Sequence, residues 1–250
     1  MFKKKWKLRP PQGWGAVAWD LAVVTLGVLL ALAAQQWVES RTVRAKVEAS
    51  KAALRDELAE HYGYAVEFRT VFPCLQAQLR RIRDRVLASG QVLEPIPIYN
   101  EGDNGYVVRI PSKEFPTAAW DAAVNDGIIQ RYEPSLRRQL AGHYTQLETV
   151  RDATWANNES EQGLAALGHD LPLDPVVRYS IVTDIEKLSG RLENMDILHG
   201  QIIDYIEKVG MLPSPEVAQA ITERYGTYKF CKAHGLPMRS FKDAMQAEPN

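Results

Sequence analysis

Cysteine is scarce in this sequence, with only Cys74 and Cys231 among 250 residues. That excludes a zinc ribbon, an iron–sulfur cluster ligated by four cysteines and a CxxC dithiol centre. The chain also has no Walker loop, dinucleotide-binding glycine loop, HExxH helix or nucleophile elbow, so no local motif carries a catalytic residue or implies a cofactor. Neither charge sign is in excess: 30 basic side chains stand against 31 acidic ones. Repeats and low-complexity linkers are missing too. Long apolar runs are confined to one place, near the N-terminus.

The charge balance hides a division. Lys3, Lys4, Lys5, Lys7 and Arg9 precede the apolar run, which holds only Asp20. Setting those aside leaves 25 basic against 30 acidic side chains, about −5 for the rest of the chain. Such a surface is poorly matched to phosphate backbones, which are bound mainly by Lys and Arg, so nucleic acid is not an expected partner.

From Trp14 to Trp37 the sequence reads WGAVAWDLAVVTLGVLLALAAQQW. At ~1.5 Å per residue these 24 residues make about 36 Å of helix, enough to cross a bilayer with some tilt. Trp14 and Trp37 stand where interfacial aromatic residues are favoured. Asp20 is an intramembrane carboxylate, which marks either a functional site or a side chain reaching the nearby interface. Gly27 and Ala31 offer a small face for helix pairing. A cleaved signal peptide is the competing plan, since basic residues, the apolar stretch Leu21 to Leu32 and Ala31-Leu32-Ala33-Ala34 fit it. Against cleavage, Asp20 interrupts the run and helical sequence continues past Trp37.

Five positive charges on a short tail are hard to translocate, whereas long domains cross largely regardless of charge. The expected topology is therefore a cytoplasmic tail (1–13), a transmembrane anchor (14–38) and an extracytoplasmic helical domain (39–240), with 241–250 a loose tail. In a bacterium this is an inner-membrane protein with its bulk in the periplasm.

Beyond the anchor, Val47, Lys51, Leu54, Leu58, His61, Ala65, Phe68, Phe72, Leu75, Leu79, Ile82 and Val86 follow alternating four- and three-residue steps. That is a helix with a core-facing stripe, expected to kink or break near Val71 because Pro73 removes a backbone donor. Residues 92–111 change character: Pro95, Pro97 and Pro111 flank two β-like runs, Ile96 to Tyr99 and Tyr106 to Ile110, which predict a small hairpin. Its turn, 100–105, lacks the ligand alternation of a calcium loop. A short helix over 117–126 and a long one from Pro134 to about Gly168 come next, the latter with a stripe that weakens at Thr154 and Asn157. An unbroken stripe then runs from Ile181 through Leu192, Met195 and His199 to Val209. Ser214-Pro215-Glu216 opens a final helix that Gly235-Leu236-Pro237 closes. The predicted fold is all-α: the anchor continues into an elongated antiparallel, coiled-coil-like bundle with a small β-hairpin insertion.

A basic tail, an anchor of the form LGVLLALAAQQW (Leu26 to Trp37) and then charged helix resembles a class of uncharacterised bacterial single-pass membrane proteins. A segment like FPTAAWDAAVNDGIIQRYEPSLRRQLAGHY (Phe115 to Tyr144) follows the anchor in them by about eighty residues. The resemblance implies an anchored helical domain and carries over no activity.

His143 and His199 are polar exceptions in apolar stripes on consecutive helices. If the connecting turn is centred near Leu171 they stand at one height, neutral at pH 7, and could hold a metal were His61 or a carboxylate to complete the set. Cys74 and Cys231 are expected to form a disulfide if the last helix packs on the first and the domain faces an oxidising compartment. Two functions follow. One is a non-catalytic anchored module that binds a protein partner, self-associates through its helices, senses an envelope condition or joins a membrane complex. The other is a metal- or haem-binding bundle with a redox, transport or hydrolytic role.

Overall fold

A computed structural model describes residues 13–101 and 104–246. The basic tail, the tip of the 100–105 turn and residues 247–250 lie outside the described residues. The chain divides into two compact units, 1–50 and 51–250. Helix α1, Trp14–Ala88, supplies the helix of the first and the central helix of the second.

In the first unit α1 carries a row of exposed apolar side chains that includes Trp19, Leu21, Val24, Leu30 and Trp37. Its most apolar 18-residue window has a mean hydropathy of 2.2 and none of it is buried, so the helix is long and apolar enough to cross a membrane. An N-terminal signal sequence meets the same test. Thr25 returns its hydroxyl to the Leu21 carbonyl, and the Arg41 guanidinium lies 4.0 Å from the centre of the Trp37 ring, the pairing favoured at a bilayer boundary.

In the second unit α1 is covered on more than its stripe. Leu54, Leu58, His61, Ala65, Phe68, Leu75, Leu79 and Val86 are buried as their spacing predicts. So are Tyr62, Val66, Glu67, Arg69, Thr70 and Val71 on the other faces. Two layers account for this. The hairpin of α3 (Pro134–Gly163) and α4 (Pro175–Val209) covers one side. The short helices α5 (Pro215–Thr222), α6 (Gly226–Ala233) and α7 (Phe241–Ala244) cover another. Prolines at the first turn and Asp174, which accepts the Val177 amide at 2.8 Å, start the long helices; Gly210 ends α4 at φ 73°.

Three features depart from the sequence reading. Helix α1 passes Pro73 without a break, and the Thr70 carbonyl in the turn that the proline ring crowds accepts the Arg239 amide at 2.9 Å. The predicted last helix is two, because the chain turns through Glu223 to Tyr225 before Gly226: the Glu223 amide still bonds four residues back, to Gln219, but those of Arg224 and Tyr225 reach only three back, to Ile221 and Thr222. The expected loose tail contains α7, capped by Ser240, with Ala244 fully buried.

The β-structure is small. Strands β2 (Tyr99–Glu101) and β3 (Asn104–Tyr106) form the hairpin inside the predicted insertion, and β1 (Val92–Leu93) pairs antiparallel with β4 (Leu171–Pro172). The ladder is shorter than the apolar runs because Pro95, Pro97 and Pro111 cannot donate to it. Ile96 instead donates to the Leu167 carbonyl at 2.8 Å. Helix α2, Ala118–Asn125, precedes a 3-10 turn at Ile128–Arg131.

Cys74 and Cys231 are joined as a disulfide across a separation of 157 residues. A Cβ on Gly63 would stand 2.8 Å from Ile221 Cβ and closer still to Cγ2, so α5 reaches α1 only over a glycine. Gly63→Ala is therefore expected to destabilise the fold by about 1–3 kcal/mol through overpacking. Gly190→Ala, where a Cβ meets nothing within 4 Å, should stabilise it by about 0.5–1 kcal/mol. Denaturant unfolding of the two variants checks both signs.

Candidate functional site

The buried face of α1 sets the site. Glu57, His61, Glu67 and Arg69 are each 8% exposed or less, so each must find a partner inside the protein. Glu57 accepts the Ala119 amide at 2.7 Å, the Trp120 amide at 3.3 Å and the Tyr144 hydroxyl at 2.5 Å. It thereby closes the first turn of α2 with a carboxylate where helix N–H groups have no partner of their own.

One turn on, His61 Nε2 lies 2.6 Å from the Pro116 carbonyl oxygen and Nδ1 lies 2.9 Å from His143 Nε2. A carbonyl only accepts, so Nε2 of His61 carries the proton; its Nδ1 is then an acceptor and His143 Nε2 is the donor. Burial holds His61 down to about 4. His143 is held at about 3 by burial and then by His61 beside it. Both rings are neutral at pH 7.

His199 is elsewhere. Its Nδ1 donates to the Met195 carbonyl at 2.7 Å and its ring lies flat on Phe68, 4.3 Å between centroids. The sequence reading paired His143 with His199, but His143 meets His61. The register explains why: Gln146 bonds to Gln201 and Gly142 lies under Tyr205. The residue of α4 level with His143 is thus more than a turn beyond His199, an offset of about 7 Å at ~1.5 Å per residue. The 3-10 turn Leu164–Gly168 and β4 move the connection toward α4, a shift that helical spacing does not reveal. Phe115 bridges the two clusters, touching the rings of His61 and His199.

Two further polar clusters carry no sequence signature. Asp196, 5% exposed, takes a bidentate bond from Arg239 at 2.8 and 3.1 Å and stands 3.7 Å from Arg69 Nε. Arg69 also donates to the Gln246 carbonyl, so the C-terminal segment is fastened to α1 and α4. Glu67 is pushed up to about 7 by burial, which outweighs Lys113 at 3.8 Å, the Tyr228 amide and Arg109. Glu161 on α3 is likewise pushed up to about 7 by burial, against Arg109.

Between α3 and the extended segment that leads into α2 lies a cleft of about 760 Å³. Along this segment Ser112, Glu114 and Pro116 are exposed while Lys113, Phe115 and Thr117 turn inward. Glu57 and His61 hold the segment from beneath. The opposite wall is the stretch of α3 from Tyr144 to Asn158, which includes the place where the apolar stripe weakens. Trp120 stacks on Tyr144 at 4.6 Å with 11° between planes, and Trp155 is 61% exposed.

Family models, curated proteins and solved structures offer no match to this chain.

The donors present fit a metal poorly. Both nitrogens of His61 are engaged, the cysteines are bonded to each other, and among the described residues no group of three or more His, Cys, Asp or Glu is placed to hold an ion. Structural and catalytic zinc sites need at least three protein ligands. Of the residues expected in the anchor, Asp20, Gly27, Ala31 and Trp37 all lie on the exposed part of α1; the Trp14 side chain lies outside the described residues.

These pKa directions predict a pH signature. A histidine held below its unfolded value near 6.5 binds fewer protons when folded, so stability falls as pH drops from about 6.5 toward 4. A glutamate held at about 7 does the reverse: its contribution is present at low pH and is lost as pH rises through 7. His143→Gln keeps a donor for His61 and should make the stability slope between pH 6 and 5 shallower by about 1 kcal/mol per pH unit. Glu161→Gln should steepen that slope and raise stability at pH 8. Urea midpoints across pH decide, and unchanged slopes in both variants would remove the buried, neutral histidine pair.

Proposed function

We propose that this chain is a non-catalytic, membrane-anchored recognition module that takes its ligand in the cleft between α3 and the segment 112–121. The observation that carries this reading is the cleft itself: its volume falls within the roughly 300–1,000 Å³ usual for ligand sites, and the Trp120–Tyr144 pair and an exposed Trp155 line it. Exposed tryptophan is uncommon on surfaces that bind nothing and is enriched at recognition hot spots. The ionisable groups beneath the cleft are committed to holding the fold, and in the lining the Thr117 hydroxyl donates to Asp121 at 2.8 Å across the first turn of α2, a bond that fastens the helix start.

The placement in a cell belongs to the same proposal. Residues 14–38 are an uncleaved anchor, the basic tail is cytoplasmic, and residues from 39 onward lie in the periplasm of a bacterium, as in the class that the sequence resembles. The Cys74–Cys231 bond supports this, since disulfides persist in oxidising compartments. Gly27 and Ala31 favour self-association of the anchor.

Three measurements test the reading. Membranes washed at alkaline pH should retain the full-length chain, and denatured protein should show two thiols only after reduction. A soluble form beginning near Ala34, or thiols titrating without reductant, contradicts the topology. A photoreactive benzoylphenylalanine at position 155, in cells, should give light-dependent adducts, whereas the same group at Glu193 on an exposed face of α4 should give none. Adducts absent at 155, or equal at both, end the cleft reading.

A further inference from the structure

The chemistry of the cleft narrows what it takes. Aliphatic surface is nearly missing from the lining, where Leu147 is the one branched aliphatic side chain. An acyl chain or the apolar face of a partner helix would find little to bury against. The cations are already engaged. Lys113 is 3.8 Å from Glu67 and lies over the Tyr225 ring, and Arg151 is 3.7 Å from Asp152. With Glu114, Asp121 and Glu148 also in the lining, acids outnumber bases, so phosphate, nucleic acid and acidic polymers are repelled rather than drawn in.

What remains is a pairing of flat aromatic faces with hydrogen-bond acceptors. Half-buried Trp120 lies flat on the buried Tyr144 ring, which fixes its plane, and Trp155 presents a second aromatic surface about three turns beyond Tyr144 on α3. Glu114 and Glu148 are exposed and have no ion-pair partner among the described residues. Ser112, Thr154 and Asn158 add short polar groups. One ligand class has the complementary pair of surfaces. A pyranose ring carries axial C–H bonds on one face, which pack on aromatic π-faces, and a rim of hydroxyl donors, which carboxylates and amides accept.

We infer that the cleft binds a neutral oligosaccharide segment of a few pyranose units, stacked on Trp120 and Trp155 with its hydroxyls donated to Glu114 and Glu148. This rests on the cleft being the recognition site, and it adds the class of ligand. Exposed aromatic side chains supply stacking area with little loss of rotamer freedom, and the segment carrying Trp120 is fixed from below by Glu57 and His61, so the site is formed before the ligand arrives.

The test uses the full chain in lipid nanodiscs, titrated calorimetrically with the β-1,4-linked tetrasaccharides of N-acetylglucosamine and of glucose, with phosphate as a control. At least one tetrasaccharide should bind, with tryptophan fluorescence shifting on saturation, and phosphate should not. Trp155→Ala, at an exposed position whose loss leaves the core intact, should weaken binding tenfold or more with an unchanged melting temperature. Tyr179→Ala, exposed at the start of α4 outside the cleft lining, should bind as wild type does. Equal affinity of wild type and Trp155→Ala, or no binding of either sugar at millimolar concentration, overturns the inference. The photo-adducts at position 155 separate the two levels of failure: adducts made only of protein leave a recognition cleft but refute a glycan ligand, and no adducts together with no sugar binding refute both.

Discussion

The unit beyond residue 51 depends on enclosing one stretch of α1 that is too polar to be enclosed cheaply. Between Leu54 and Leu75 the helix is buried on almost every face, and that stretch includes Glu57, His61, Glu67 and Arg69. An unpartnered buried charge costs several kcal/mol, and even a neutral polar group costs about 1–3 kcal/mol when its bond is missing. Each of these four residues therefore dictates what must stand opposite it. Glu57 requires helix amides and a hydroxyl, His61 a carbonyl and a second imidazole, Glu67 a cation and an amide, and Arg69 a carboxylate. The elements that answer are drawn from the whole chain: α2, α3, the segment before α2, the start of α6, α4 and the C-terminal segment.

The cleft is a by-product of three of those answers. Segment 112–117 has almost no regular backbone pairing, yet Lys113 is bound to Glu67, the Pro116 carbonyl to His61, and the following helix turn to Glu57. A segment held at three points from beneath keeps its outer edge fixed. Its outer edge is one wall of the cleft. The facing wall is the part of α3 where polar residues replace the stripe, so the bundle cannot close over it without burying Glu148, Arg151 and Asn158. Packing and polarity together keep the cleft open, and no loop closure is required to form it.

Helical periodicity recovered much of this architecture because it reports which side chains face inward. The stripes from Leu54 to Val86 and from Ile185 to Val209 are buried nearly as spaced, and Pro134 and Ser214-Pro215 begin helices where their chemistry requires. Periodicity is silent on register between helices, so it does not reveal that His143 meets His61. It is equally silent on a helix covered on all sides: Glu67 and Arg69 lie off the apolar stripe, yet α6, α4 and the C-terminal segment enclose them. The division at Glu223–Tyr225 escaped for a related reason. Tyr225 is drawn to Glu60, 3.0 Å from its hydroxyl, and to the Tyr64 ring, a tertiary demand that local propensity does not contain. The cleft has one visible trace, the weakening of the stripe at Thr154, which lines it; Asn157, the next polar position of the stripe, is buried.

The disulfide belongs to the same balance. Glu67 and Glu161 are both pushed toward neutrality by burial, a sign that the fold accepts unfavourable desolvation near Arg109 rather than expelling the carboxylates. Something must offset that. Cys74 lies on the enclosed part of α1 and Cys231 on α6, so the bond ties the polar helix to the layer that covers it, across 157 residues. In the chain-entropy view, closing so long a loop removes freedom from the unfolded chain worth about 5 kcal/mol, less any strain. The covering layer is thin, three helices of eight residues or fewer, and such short helices do not hold themselves together in isolation. They hold because the disulfide, the Gly63–Ile221 contact and the Arg239–Asp196 pair fasten them at three separate places. The outer layer thus depends on the first of these, and the enclosed polar helix keeps its cover only where that bond survives.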